Sequence, residues 1–169
     1  AISMISLFLP LYLHYEMNYS LTNTLLFFIY YSLAFAIITP FAAKFSAKFG
    51  MKHAILLSIP LYLLGIMLLY FLPLYPIPLF IIGALIGSSI SFYWMGLHLI
   101  FHRASDHKHR GEEFGKRASI SIFSTLFGPL FGGLLIKMVG FKLVFLIASL
   151  FLFLSAFFLF LSEDKHLKY

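Results

Sequence analysis

The chain has no cysteine at all, and only 11% of its 169 residues carry a charge. The first absence removes disulfide frameworks and thiolate chemistry from consideration. The second removes the water-soluble classes, because a soluble domain carries about 25% charged residues. Charge is also unevenly spread. No Asp, Glu, Lys or Arg occurs between Glu16 and Lys44, Lys52 and Arg103, Arg117 and Lys137, or Lys142 and Glu163. What fills those intervals is apolar: 62% of the chain is hydrophobic, and the mean hydropathy is +0.98.

A membrane-spanning helix needs about 20 apolar residues. The interval from Lys52 to Arg103 is long enough for two, divided by Pro73, Pro76 and Pro78. Six spanning segments are therefore expected, over 1–15, 21–43, 53–74, 77–101, 117–138 and 141–161. The first is short for a span and reads as truncated. It has no basic n-region and no small-residue cleavage site before Glu16, which argues against a secretory signal.

The formal charge of +6 could suggest nucleic acid, but its placement points to a bilayer instead. Ten of the twelve Lys and Arg residues lie in the second connection (Lys44, Lys48, Lys52), the fourth (Arg103, Lys108, Arg110, Lys116, Arg117) and the tail (Lys165, Lys168). Only Lys137 and Lys142 fall on the other side. Basic residues in alternate connections follow the positive-inside rule, so both termini are expected in the cytoplasm, in the cytoplasmic (plasma) membrane.

The chain is organised around Ser124 to Gly133, S-T-L-F-G-P-L-F-G-G. In water a proline and three glycines would break a helix. In lipid, neighbouring helices re-satisfy freed backbone groups, and small residues let backbones approach closely. Segment four has a related face at Gly83-A-L-I-Gly87. Tyr30 and Tyr31 at mid-depth of segment two, and Tyr93, Trp94 and His98 on segment four, are candidates to line a polar path, although tyrosine also packs routinely with one satisfied hydrogen bond. In the second connection, Gly50 is the expected turn or helix-cap position. Glu112 and Glu113 sit where the start of segment five favours negative charge and within reach of basic connections.

The order of residues in the second connection resembles that of the major facilitator superfamily of secondary transporters. The family pattern G-x-x-x-D-R/K-x-G-x-R/K-R/K aligns with Ala43, Ala47, Lys48, Gly50, Lys52 and His53. Ala47 replaces the acidic residue, so a gating latch here must use other residues: Lys44, Lys48, Gly50, Lys52, Arg110, Glu112 and Glu113. The arginine that many proton-coupled exporters of the family carry in segment four is replaced by Gly83. The fifth-helix pattern G-x8-G-x3-G-P-x2-G-G is matched by Gly115, Ser124, Gly128, Pro129, Gly132 and Gly133, with serine for one glycine.

The resemblance covers the whole chain as an N-terminal six-helix half. It implies an all-α polytopic membrane protein, a single bundle over 1–169, cut from a twelve-helix carrier. It further implies alternating access, with segments one, two, four and five lining the pathway, and an exporter or antiporter. The partners implied are the lipid bilayer, a small organic solute with or without a coupling proton or other ion, and a second six-helix half or second copy; no nucleic acid, cofactor, metal or enzymatic activity is expected. A membrane metalloenzyme of the histidine-box kind is the alternative, because His98 and His102 share a helical face and His107 and His109 follow. His14, His53 and His166 are scattered singles without companion ligands. A membrane scaffold without transport is the remaining reading.

Overall fold

A computed structural model describes residues 5–104 and 110–161, without the side chains of 102–104, 110 and 124. All regular structure among them is helical. A short helix α1 (Leu9–Leu11) continues into a π-helical turn over Tyr12–Glu16. It is followed by α2 (Leu21–Phe49), α3 (Met51–Phe71), α4 (Leu79–Ala104) and α5 (Arg110–Leu161). The last four are long and apolar enough to cross a membrane.

The expected continuous helix over 1–15 is replaced by broken helical pieces. Pro10 sits in the first turn of α1, where its missing N–H costs nothing, but it cannot continue a helix from the preceding turn. The piece is nevertheless anchored. Tyr12 is buried and donates its hydroxyl to the Leu69 carbonyl at 2.8 Å, and its ring meets Phe145 edge-on at 5.0 Å. His14 Nδ1 donates to the Tyr19 carbonyl at 2.9 Å, closing the short connection into α2. Ser20 then caps α2, its hydroxyl accepting from the Asn23 N–H.

The second connection is much tighter than the interval 44–52 left between the expected segments. α2 runs through Lys44 and Lys48 to Phe49, and α3 begins at Met51. Gly50 alone makes the turn, at φ 100° and ψ 152°. That backbone region is essentially closed to any residue with a Cβ. Gly140 adopts a similar conformation, φ 78° and ψ 172°, and breaks α5 into two arms, 110–139 and 141–161. In both places a lysine follows two residues later, Lys52 and Lys142.

The two lysines have reciprocal roles. Lys52, in the first turn of α3, donates to the Phe160 carbonyl at 3.3 Å near the end of the second arm. Lys142, in the first turn of that arm, lies 5.9 Å from the Tyr70 ring near the end of α3. Each cation is thus carried away from the positive end of its own helix toward the negative end of an antiparallel neighbour.

α4 is the hub of the bundle, and its sequence divides into faces. Gly83, Gly87 and Ser91, at steps of four, meet α2. A Cβ at Gly83 would lie 3.1 Å from the Phe27 carbonyl oxygen, and one at Gly87 would collide with the Tyr31 carbonyl oxygen. Ser91 pairs with Thr39 at 2.9 Å. Ile86, Ser89 and Gly96 meet α3: Ser89 donates to the Ser58 carbonyl at 2.7 Å, and a Cβ at Gly96 would lie 2.8 Å from the Met51 carbonyl oxygen. Such close approach is how helices associate where lipid is as apolar as leucine. The buried core gathers α1, α2, α3, α4 and the second arm of α5 around Tyr12, Phe27, Leu69, Ile82 and Phe145. Its buried members include no residue of the first arm, which stands at the side of the bundle with Phe123, Leu126 and Leu130 exposed.

Candidate functional site

The remaining face of α4 carries Ile90, Tyr93, Trp94, Leu97 and His98, spaced three and four apart. Because the glycine stripes engage α2 and α3, this face is left to border a cleft of about 1140 Å3. The opposite wall is the first arm of α5, which presents Arg117, Ser121, Thr125 and Pro129 at strict steps of four, with Phe114, Ala118 and Ile122 beside them. Phe151, Leu152 and Ser155 of the second arm and Ser6 and Leu7 of the first segment complete the lining.

Aromatic rings dominate the α4 wall. Trp94 stacks on His98 at 5.3 Å with 22° between planes, and Tyr93 meets Trp94 edge-on at 5.7 Å. Trp94 remains 41% exposed although it sits within a membrane-length helix, because the cleft and not a neighbouring helix lies over it. Along the α5 wall, Arg117 lies 5.0 Å from the Phe101 ring, which in turn meets Phe114 at 5.6 Å. The Thr125 hydroxyl donates to the Ile122 carbonyl at 2.7 Å. Pro129 has no N–H to offer the carbonyl of Thr125, so a main-chain acceptor is released in the cleft wall. The site is therefore an apolar trough carrying hydroxyls, an imidazole and one guanidinium.

The five expected lining residues divide. Tyr93, Trp94 and His98 come together in the cleft. Tyr30 lies elsewhere, beside Asn23, Pro76 and Phe80 in a separate cavity of about 360 Å3, with its ring 6.3 Å from that of Phe80. Tyr31 borders a cavity of about 140 Å3 with Phe27, Tyr62 and Leu69. Ser6 and Ile90 line both that cavity and the cleft, which puts Tyr31 one layer behind the wall. Segment two was expected to contribute to the pathway, but the described cleft lining contains no α2 residue, and the second arm of α5 takes that place. The cause is the Gly83 and Gly87 stripe, which draws α2 onto another face of α4.

The expected gating residues are also distributed. Lys44 and Lys48 are exposed residues of α2, and the Lys48 ammonium lies 5.2 Å from the Phe49 ring. Gly50 is the turn, and Lys52 reaches the second arm of α5. Glu112 and Glu113 occupy the first turn of α5 as expected, with Glu112 engaged by Lys116 one turn on, at 2.6 Å. The side chain of Arg110 lies outside the described residues, as do those of Arg103 and Ser124 and the whole of 105–109 and 162–169.

Within the fifth-helix motif, a Cβ at Gly115 would meet nothing within 4 Å. Gly128 is half-buried and Gly132 buried, and a Cβ at Gly133 would lie 3.2 Å from Phe8 Cζ. Pro129 faces the cleft. Of the expected histidine pair, His98 is stacked on Trp94, while the side chain of His102, and His107 and His109, fall outside the described residues. Among the described residues no three His, Cys, Asp or Glu side chains cluster as metal ligands would.

Arg117, Ser121, Thr125 and Ser155 were not singled out as lining residues in the sequence. Their signal was present in the first three, which repeat every fourth residue and so form one polar stripe on an otherwise apolar helix. By sequence alone Arg117 belongs with the basic connection, because it stands at its end.

No curated protein and no solved structure matches the chain. The family model described as Major Facilitator Superfamily matches residues 1–169, the full length. Together with the long apolar helices, that match identifies the chain as an integral membrane protein of the Major Facilitator Superfamily, whose members are secondary transporters of small solutes rather than enzymes.

Proposed function

We propose that this chain is one six-helix half of a carrier that works by alternating access and binds a small organic solute in the cleft between α4 and α5. The observation that carries the reading is the cleft itself: about 1140 Å3, walled by aromatic rings on one helix and a polar stripe on another. Ligand pockets occupy about 300–1,000 Å3 and combine apolar walls with a few placed polar groups. Among the described residues no helix covers Trp94 on one flank of this trough, where a second bundle would complete a midplane site.

The length of α5 supports a reading with six crossings. Its 52 residues would extend about 78 Å as one straight helix, more than twice the ~30 Å hydrocarbon core, and Gly140 divides it. With the first segment counted as a crossing, alternation of the basic connections supports cytoplasmic termini at both ends. The partner half is either a further six-helix segment of the same gene product or a second copy of this chain. A native product about twice this mass would assign the first arrangement, and one of this mass the second. The fifth-helix pattern that ends at Gly133 favours export or exchange, with Lys44, Lys48, Lys52, Arg110, Glu112 and Glu113 at the gate and Tyr93, Trp94 and His98 against the solute.

Solute flux into proteoliposomes bearing the whole gene product tests the carrier. Gly132 is buried, so Gly132→Leu should reduce flux far more than it reduces membrane insertion, by separating packed helices. Unchanged flux in a fully inserted Gly132→Leu protein would count decisively against a carrier of this kind.

A further inference from the structure

The charge of the cleft is one-sided. Arg117 is in its lining, and among the described residues no Asp or Glu is. Among the described residues no carboxylate pairs with Arg117: Glu112 is taken by Lys116, and Glu113, four residues before Arg117, is exposed in the first turn without reaching it. The guanidinium is held, among the described residues, by its contact with the Phe101 ring at 5.0 Å alone. A charge in an apolar trough with its hydrogen-bonding edge unspent favours an incoming partner of opposite sign. The planar fork of arginine matches a carboxylate with two parallel hydrogen bonds.

The rings of α4 set the shape of that partner. Trp94, His98 and Phe101 follow at spacings of four and three, a row about 10 Å long at 1.5 Å per residue. Arg117 stands over the Phe101 end, and the stacked pair of Trp94 and His98 forms the rest. The Ser121 hydroxyl, one turn beyond Arg117 on the same stripe, is a second donor. An organic cation would find π faces here. It would also meet a fixed positive charge with no carboxylate among the described lining residues to offset it.

We infer that the cleft selects an amphipathic organic anion, its carboxylate on Arg117 and its flat apolar body against Trp94 and Tyr93. This rests on the carrier reading of the same cleft and names the substrate class.

Trp94 is the sole tryptophan of the chain, so its emission reports on the cleft directly. The full chain in lipid nanodiscs is titrated with 3-phenylpropionate, its methyl ester and 3-phenylpropylammonium, three probes that share a body and differ in head group. The carboxylate should saturate the change in Trp94 emission at a concentration at least about tenfold below that of the other two. Arg117→Gln should make the three probes alike, and Arg117→Lys should keep part of the preference, since it retains the charge without the fork. If the ammonium binds as tightly as the carboxylate, or the preference survives Arg117→Gln in a protein of unchanged helical content, anion selection is wrong while the carrier reading stands. If none of the three alters Trp94, both the anion preference and the placement of substrate in the cleft fall. Flux, tested separately through Gly132→Leu, decides the carrier itself.

Discussion

Gly87→Ala tests how α4 is held against α2. A methyl group there would collide with the Tyr31 carbonyl oxygen and lie 3.1 Å from the Ala34 Cβ. A main-chain oxygen inside a helix cannot turn aside as a side chain can, so α4 must retreat from α2. Retreat would also loosen the contact of Gly83 with Phe27 and stretch the 2.9 Å hydrogen bond between Thr39 and Ser91. Overpacking of this kind costs about 1–3 kcal/mol, and the rigid neighbour places it in the upper half of that range. Against it stands about 1 kcal/mol of helix propensity gained on replacing glycine by alanine. The expected net loss is about 1–2 kcal/mol. Gly115→Ala is the comparison, because no atom lies within 4 Å of its new methyl group and only the propensity gain remains. That variant should be more stable than the parent by up to about 1 kcal/mol. Titration of both purified proteins with SDS in mixed micelles, followed by helical circular dichroism, measures the two differences. Equal stability of Gly87→Ala and Gly115→Ala would refute the close approach of α2 and α4 and the division of α4 into packing faces.

Gly50→Ala should destabilise by about 1–3 kcal/mol in the same titration, because φ 100° with ψ 152° is a conformation reserved for glycine; a stability equal to or above that of the parent would show that the turn is made differently. The hydroxyl of Thr39 donates to the Phe35 carbonyl at 2.6 Å, so Ser91 must donate to Thr39, and a double-mutant cycle of Ser91→Ala with Thr39→Val should return a coupling of about 0.6 kcal/mol. A coupling indistinguishable from zero would remove this bond from the forces joining α2 to α4.

Much of the architecture was readable in one dimension. The charge-free intervals locate the apolar helices, Pro73 to Pro78 marks the break between α3 and α4, and Gly50 marks a reversal. These features act locally: a proline lacks its N–H wherever the chain goes, and only glycine enters the backbone region that Gly50 occupies. The small-residue face at Gly83 and Gly87 was legible for the same reason, since a missing side chain is a property of the sequence. Its partner was not, because nothing in the spacing of two glycines says whether α2, α3 or α5 will come to them.

The site depended on that choice. Tyr30, Tyr31, Tyr93, Trp94 and His98 look alike in sequence, as polar aromatics within apolar helices. Packing separates them: α2 is drawn onto the glycine face of α4, which removes Tyr30 and Tyr31 to other cavities and leaves Trp94 and His98 beside the cleft. Arg117 changes meaning in the same way, from the last residue of a basic connection to a guanidinium over Phe101. The sequence by itself determined that this protein belongs in a membrane, where its chain breaks, and which helix faces can pack closely, because each follows from the chemistry of single residues and their spacing. Which faces meet, and therefore which charge stands in the cleft, was decided only by tertiary structure, because in lipid helices choose partners by shape and not by hydrophobicity.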